Sequence, residues 1–152
     1  MPETPESLAK DPLFIARQAN SLTRVVKIVF PNVTNYYDTL FGGTALQWMD
    51  EVASIASVRF SRQQTVTVSL DQVNFKQPIP SGSIVELVGK VIDVGSTSLK
   101  IQVDVYVEQR EKDGRQKAIS SLFTFVAINA ERQPIPIDWR HPLEPDATQL
   151  MT

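Results

Sequence analysis

The sequence has no cysteine and only one histidine. Without cysteine there are no disulfides, no thiolate metal site and no thiol nucleophile. It also lacks a basic excess: the net charge is −2, so neither nucleic acid nor an anionic membrane is an expected partner. No apolar run approaches the length of a membrane span. The first eight residues are acidic and proline-containing, unlike the basic-then-apolar opening of a signal peptide. We therefore expect a cytoplasmic protein. Neither a Walker motif nor a Gly-x-Gly-x-x-Gly run is present, and with no cysteine and a single histidine we expect no metal site and no organic cofactor.

What is present fits one domain. A chain of 152 residues is large enough to bury roughly 70% of its unfolded surface. Pro12 behind Asp11 marks a helix start in a short leader, residues 1–22. Val25, Val26, Ile28, Val29 and Phe30 read as a buried strand that Pro31 ends. A polar loop follows, and then a periodic stretch from Gly42 to about Phe60. Leu46, Met49, Ala53, Ile55, Ala56 and Phe60 give it apolar residues on more than one side, the pattern of a buried helix. One polar stripe interrupts it, through Gly43, Gln47, Asp50, Ser54 and Ser57.

Beyond this helix the period changes from 3.6 to 2. Val66, Val68 and Leu70 alternate with polar residues, and the phase slips at Gln72, which predicts a bulge. Pro78 to Gly82 is a turn cluster. Val85, Leu87 and Val91 form the next strand, with Gly89 inside it as a bend or close-packing point. Leu99, Ile101, Val103, Val105 and Val107 alternate without error, and this apolar strand is expected at a sheet edge. Asp113-Gly114 turns the chain into a last strand, Ala118 to Asn129. A proline-rich tail from Gln133 carries His141 and is expected to lie extended on the surface. One strand, one long helix and four consecutive antiparallel strands make an α+β fold, a curved sheet wrapped on a central helix.

Certain blocks carry a resemblance. The run from Asn35 through Phe41-Gly42-Gly43, followed by Met49-Asp50-Glu51, resembles the signature of acyl-CoA hydrolases of the hotdog fold. The similarity continues at Val73-Asn74-Phe75, Val94 to Ser98 and Phe123 to Ala127. It implies a hotdog domain over residues 23–137, an extended tail over 138–152, and hydrolysis of fatty or other acyl-CoA thioesters. A non-catalytic acyl-CoA-binding protein and an enoyl-CoA hydratase or dehydratase are the rival readings. The second of these needs a His–acid pair, and the lone histidine lies in the tail.

Thioester hydrolysis needs a polariser, a base or nucleophile, and a place for the oxyanion. The N-terminus of the long helix offers unpaired N–H groups, and Gly42 and Gly43 let a ligand approach its backbone. Gly43 N–H is the expected oxyanion donor, with the Asn35 amide as second polariser by resemblance. Asp50 is the expected base or nucleophile, with Ser54 and Thr67 positioned to hold the water. Gly42, Ser96, Thr97 and Ser98 are expected on the CoA moiety. Among the basic residues, Arg59, Arg62, Lys76, Lys90 and Lys100 are available for its phosphates.

Two positions depart from the family pattern: Asp38 stands where a glycine is usual, and Ser96 where a basic residue is common. Gly43 and Asp50 lie about 10 Å apart along the helix, too far to act together on one carbonyl. Hotdog thioesterases meet this by dimerising, so a homodimer or a trimer of dimers (a homohexamer) is expected.

Overall fold

The computed structural model describes residues 3–145. The outermost parts of the expected leader and tail, residues 1–2 and 146–152, lie outside the described residues. Helices α1 (Pro5–Leu8) and α2 (Pro12–Ser21) precede strand β1 (Thr23–Ile28) and the long helix α3 (Gly42–Ser61). Strands β2 (Thr65–Phe75), β3 (Ile84–Val94), β4 (Ser98–Glu108) and β5 (Gln116–Ala127) follow. The start of α2 is as read from sequence: Asp11 Oδ1 accepts from Leu13 N at 3.0 Å, with Pro12 in the first turn.

The five strands form one antiparallel sheet in the order β1-β3-β4-β5-β2. This is the α+β hotdog architecture expected. Alternate residues of β3, β4 and β5, among them Leu87, Ile101 and Phe123, are fully buried with Met49, Ala53 and Ala56 of α3. At Gly89 the helix and sheet meet most closely. A Cβ there would stand 2.9 Å from Val52 Cγ1 and 3.4 Å from the Val52 carbonyl oxygen. Val52 is β-branched on a helix and has no second good rotamer to retreat to. Gly89→Ala should therefore cost about 1–3 kcal/mol, read as a fall of several degrees in thermal midpoint with the same cooperative unfolding.

The bulge falls where the phase slipped: Gln72 has φ 53°, and the β2–β5 register shifts between Asp71 and Asn74.

Four expectations are corrected. First, β4 is not an edge strand, because hairpins seat it between β3 and β5. The edges are β1 and β2, which the α3 crossover separates to opposite sides of the sheet. Second, β1 is not buried: it ends at Ile28, and Val26 is 63% exposed. Its unbroken apolar run conceals an ordinary alternation, in which Val25 faces inward with Leu87 and Val26 outward with Glu86. Third, α3 is not covered all round, since Ile55 and Val58 stand exposed on it.

Fourth, the tail is not a surface strand as far as Trp139. Ile135 N and Ile137 N donate to the carbonyls of Ala127 and Ser96, and Trp139 is buried. Trp139, Phe14 and Phe60 pack as three mutually tilted rings with centroids 5.7–5.9 Å apart. Leader, helix and tail thus share one core.

Candidate active site

The loop after β1 is shaped by Asn35. Its Oδ1 accepts from Tyr37 N at 2.9 Å, Thr39 N at 3.2 Å and Thr39 Oγ1 at 3.0 Å. Three donors on one oxygen fix the amide's orientation, so Nδ2 is turned away from the loop. It donates to no protein atom among the described residues. Asp38 sits at φ 57°, the left-handed conformation that a glycine would adopt freely, and places a carboxylate on the loop there. Its carbonyl accepts from Ser81 N at 2.8 Å, and Leu40 N donates to Ile79 O at 2.7 Å. The Pro78–Gly82 turn therefore staples the loop in place.

This loop feeds α3 without a side-chain cap, because the N-cap residue, Phe41, has no acceptor. Ala45 N makes the first helical bond, to Phe41 O. The N–H groups of Gly42 and Gly43 precede that bond and are left for an outside acceptor. A Cβ on Gly43 would come within 3.1 Å of the exposed Phe41 ring, which would have to give way by a few tenths of an ångström. Beside Gly42 opens a cavity of about 300 Å³ with Leu40, Ala45, Phe75, Ile79 and Ile119 on its walls. Three larger clefts, up to about 590 Å³, are lined by none of the expected catalytic residues.

Two turns along the helix, Asp50 lies half-buried against β2. Its Oδ1 accepts from Thr67 Oγ1 at 2.7 Å. Its Oδ2 has no protein partner among the described residues, and no cation pairs with the carboxylate there. Further along, Ser57 Oγ and Thr65 Oγ1 are 2.6 Å apart. The polar stripe of α3 is thus a seam against an edge strand, rather than a fully solvated face. Ser54 donates to the Asp50 carbonyl at 2.8 Å, which commits its proton and leaves only its lone pairs for a water.

Ser96, Thr97 and Ser98 lie elsewhere. Their turn meets the sheet where Ser98 pairs with Val126 and Val126 with Val66, whereas Gly42 faces Phe75 at the other end of β2. Strand length puts roughly 30 Å between them in one chain. The lone histidine is also remote, bonded to Arg17 at 3.0 Å. Sequence reasoning missed the cavity at Gly42. Its one signal was Phe75, whose register opposite Ile119 turns the ring toward the helix N-terminus.

A curved antiparallel sheet on one helix, with an unpaired carboxylate against its edge strand and free donors at the helix N-terminus, defines a hotdog enzyme equipped to act on a carbonyl. The chain belongs to the thioesterase superfamily, whose family model matches residues 37–113. It is 39% identical to the uncharacterized acyl-CoA thioester hydrolase YkhA of Bacillus subtilis over 76% of this chain and 68% of that protein. Among solved structures it resembles the acyl-CoA hydrolase of Staphylococcus aureus in complex with butyryl coenzyme A. That match has a TM-score of 0.76 and 32% identity, over 88% of this chain and 80% of the other. Variants of the S. aureus enzyme with an Asn, an Asp and a Thr replaced by alanine have been solved. Those three residues follow one another at the same intervals as Asn35, Asp50 and Thr67 here. An apo-hexameric acyl-CoA thioesterase matches with a TM-score of 0.77 and 30% identity, over 88% of this chain and 85% of the other.

Proposed function

We propose that this protein is an acyl-CoA thioesterase that hydrolyses the thioester at a site shared between two subunits. The observation that carries the reading is a division of chemistry along α3. Free N–H donors and the outward Asn35 amide gather at one end, and an unpaired carboxylate oxygen lies about 10 Å further on. Asn35 and Gly43 of one subunit polarise the carbonyl and hold its developing negative charge. Asp50 of the other subunit, steadied by Thr67, either takes a proton from water or attacks the carbonyl itself. Water ends on the acyl carbon in both routes, and the CoA sulfur leaves with a proton. Ser54 accepts from the same water. Gly42 and the turn Ser96 to Ser98 flank the CoA moiety, and the cavity beside Gly42 takes an apolar part of the ligand. No metal or organic cofactor enters this scheme. The spacing shared with the three S. aureus positions supports the assignment. The proposal includes a cytoplasmic location, in keeping with a cysteine-free sequence.

The test is turnover of short, medium, long and aromatic acyl-CoAs, followed by release of free CoA thiol. Hydrolysis of at least one class is expected. No turnover of any, with binding retained, would favour a non-catalytic acyl-CoA-binding protein.

A shared site requires an oligomer, and we propose a hexamer of three dimers. Edge strand β2 leaves Val66, Val68 and Leu70 exposed along an unpaired backbone. Sedimentation equilibrium at micromolar concentration should show no major species of one chain's mass. A stable active monomer would contradict the shared site.

A further inference from the structure

A second charged site lies at the other end of α3. Around a cavity of about 530 Å³ stand Arg17 of α2, Arg59 near the end of α3, and Arg62, which closes the helix at φ 54°. Asn20, His141 and Glu144 complete the part of the wall that can contact a polar ligand. Four of the other five arginines meet carboxylates, Arg132 being the exception among the described residues: Arg24 and Arg115 hold Glu86, Arg110 meets Glu111, and Arg140 bridges Glu3 and Asp11. Arg17, Arg59 and Arg62 have no such partner among the described residues.

Helix-end chemistry accounts for only part of this. Arginines in a last turn offset the negative end of the helix dipole, and Arg59 Nη1 donates to the Leu22 carbonyl at 3.3 Å. Arg17 sits in the middle of α2 and is only 4% exposed. Its Nη2 donates to the carbonyls of His141 and Pro142, while its Nε is buried and donates to nothing. Burial pushes its pKa down, Asp138 opposes this, and the charge of Arg62 adds to it. Asp138 offsets that burial without forming a salt bridge to Arg17, and an anion in the cavity would offset more of the cost.

We propose that this cavity binds a phosphoryl group, with Arg17, Arg59 and Arg62 supplying the positive charge and the donors. Guanidinium forks match phosphate oxygens, and three arginines against one glutamate on the wall suit a dianion better than a single carboxylate. The site is separate from the thioester chemistry of its own chain. Arg59 follows Asp50 by nine residues, which places it on the opposite face of α3 and about 13 Å further along. The phosphoryl group therefore comes from one of two sources: the CoA end of a substrate engaged by another subunit, or a free phosphorylated metabolite. The first source rests on the proposed thioesterase function; the binding itself does not.

Titration calorimetry of the full chain with inorganic pyrophosphate tests the site. Saturable binding is expected, weakened at least about tenfold in Arg59→Gln and lost in Arg59→Gln/Arg62→Gln. These two positions are chosen because Arg17 clasps the tail and its variants would also report on folding. No saturable binding to the wild-type chain would overturn the proposal, as would unchanged binding in the double variant. Kinetics then separate the sources. A KM raised at least about tenfold for acyl-CoA, but not for the matching acyl-pantetheine, identifies the substrate's phosphates. Unchanged KM values with pyrophosphate binding lost identify an independent ligand. Should the wild type hydrolyse neither thioester, the thioesterase reading fails while calorimetry still decides the phosphoryl site.

Discussion

Asp50→Asn is expected to lower kcat by at least about 10²-fold while leaving the fold and acyl-CoA binding in place. The amide has the same size and keeps an oxygen to accept from Thr67 Oγ1, so the contact to β2 survives. What disappears is the basic, nucleophilic lone pair on the unpaired oxygen. Asp50 is half-buried without a cation partner among the described residues, so its charge gains nothing from a salt bridge. Neutralising it should leave the thermal midpoint unchanged or raise it, as when a residue kept for function is replaced. Activity and stability must be measured on the same variant, because only their divergence identifies chemistry. A fully active Asp50→Asn enzyme would move the search to Glu51 or Asp71.

The second large effect is expected at Asn35, where two substitutions separate two roles. Asn35→Ala should lower kcat more than it raises KM, because a donor to the oxyanion contributes mainly in the transition state. Losing one such donor typically costs about 10²–10³ in rate. The alanine also removes the acceptor that gathers Tyr37 N, Thr39 N and Thr39 Oγ1, each bond worth about 0.5–1.5 kcal/mol. Some loss of thermal stability should accompany it. Asn35→Asp keeps that acceptor and deletes only the N–H donor, placing an anion where negative charge develops. It should match or exceed the alanine variant's loss of kcat with little change in thermal midpoint. If either variant raised KM alone, Asn35 would be a loop or binding residue.

Much of this site was legible in the sequence because its parts are local. The Asn35 loop, the glycine pair and Asp50 lie within sixteen consecutive positions, and helical periodicity aligns Gly43, Asp50 and Ser54 on one stripe. Other features could not be read there. That the stripe faces an edge strand follows from β2 returning antiparallel beside α3, and the Thr67–Asp50 bond spans seventeen residues of sequence. Asp38 stands where a glycine is usual, and its conformation could not be read from the sequence. The backbone holds it at φ 57°, with its carbonyl accepting from Ser81 N.

The convergence of Arg17 with Arg59, Arg62 and His141 joins three distant segments, and no local pattern predicts it. The sequence by itself determined the long helix, the five strands and several of their boundaries. Periods of 3.6 and 2, the Asp11-Pro12 helix start and the slip at Gln72 all act between near neighbours, where sterics and amphipathicity decide. The tertiary structure alone decided strand order, which placed β4 inside the sheet and β1 and β2 at its edges. It also decided that Trp139 closes the core against Phe14 and Phe60. Apolar residues carry no address: alternation says that a face is buried, but which face covers it depends on contacts between residues far apart in the chain.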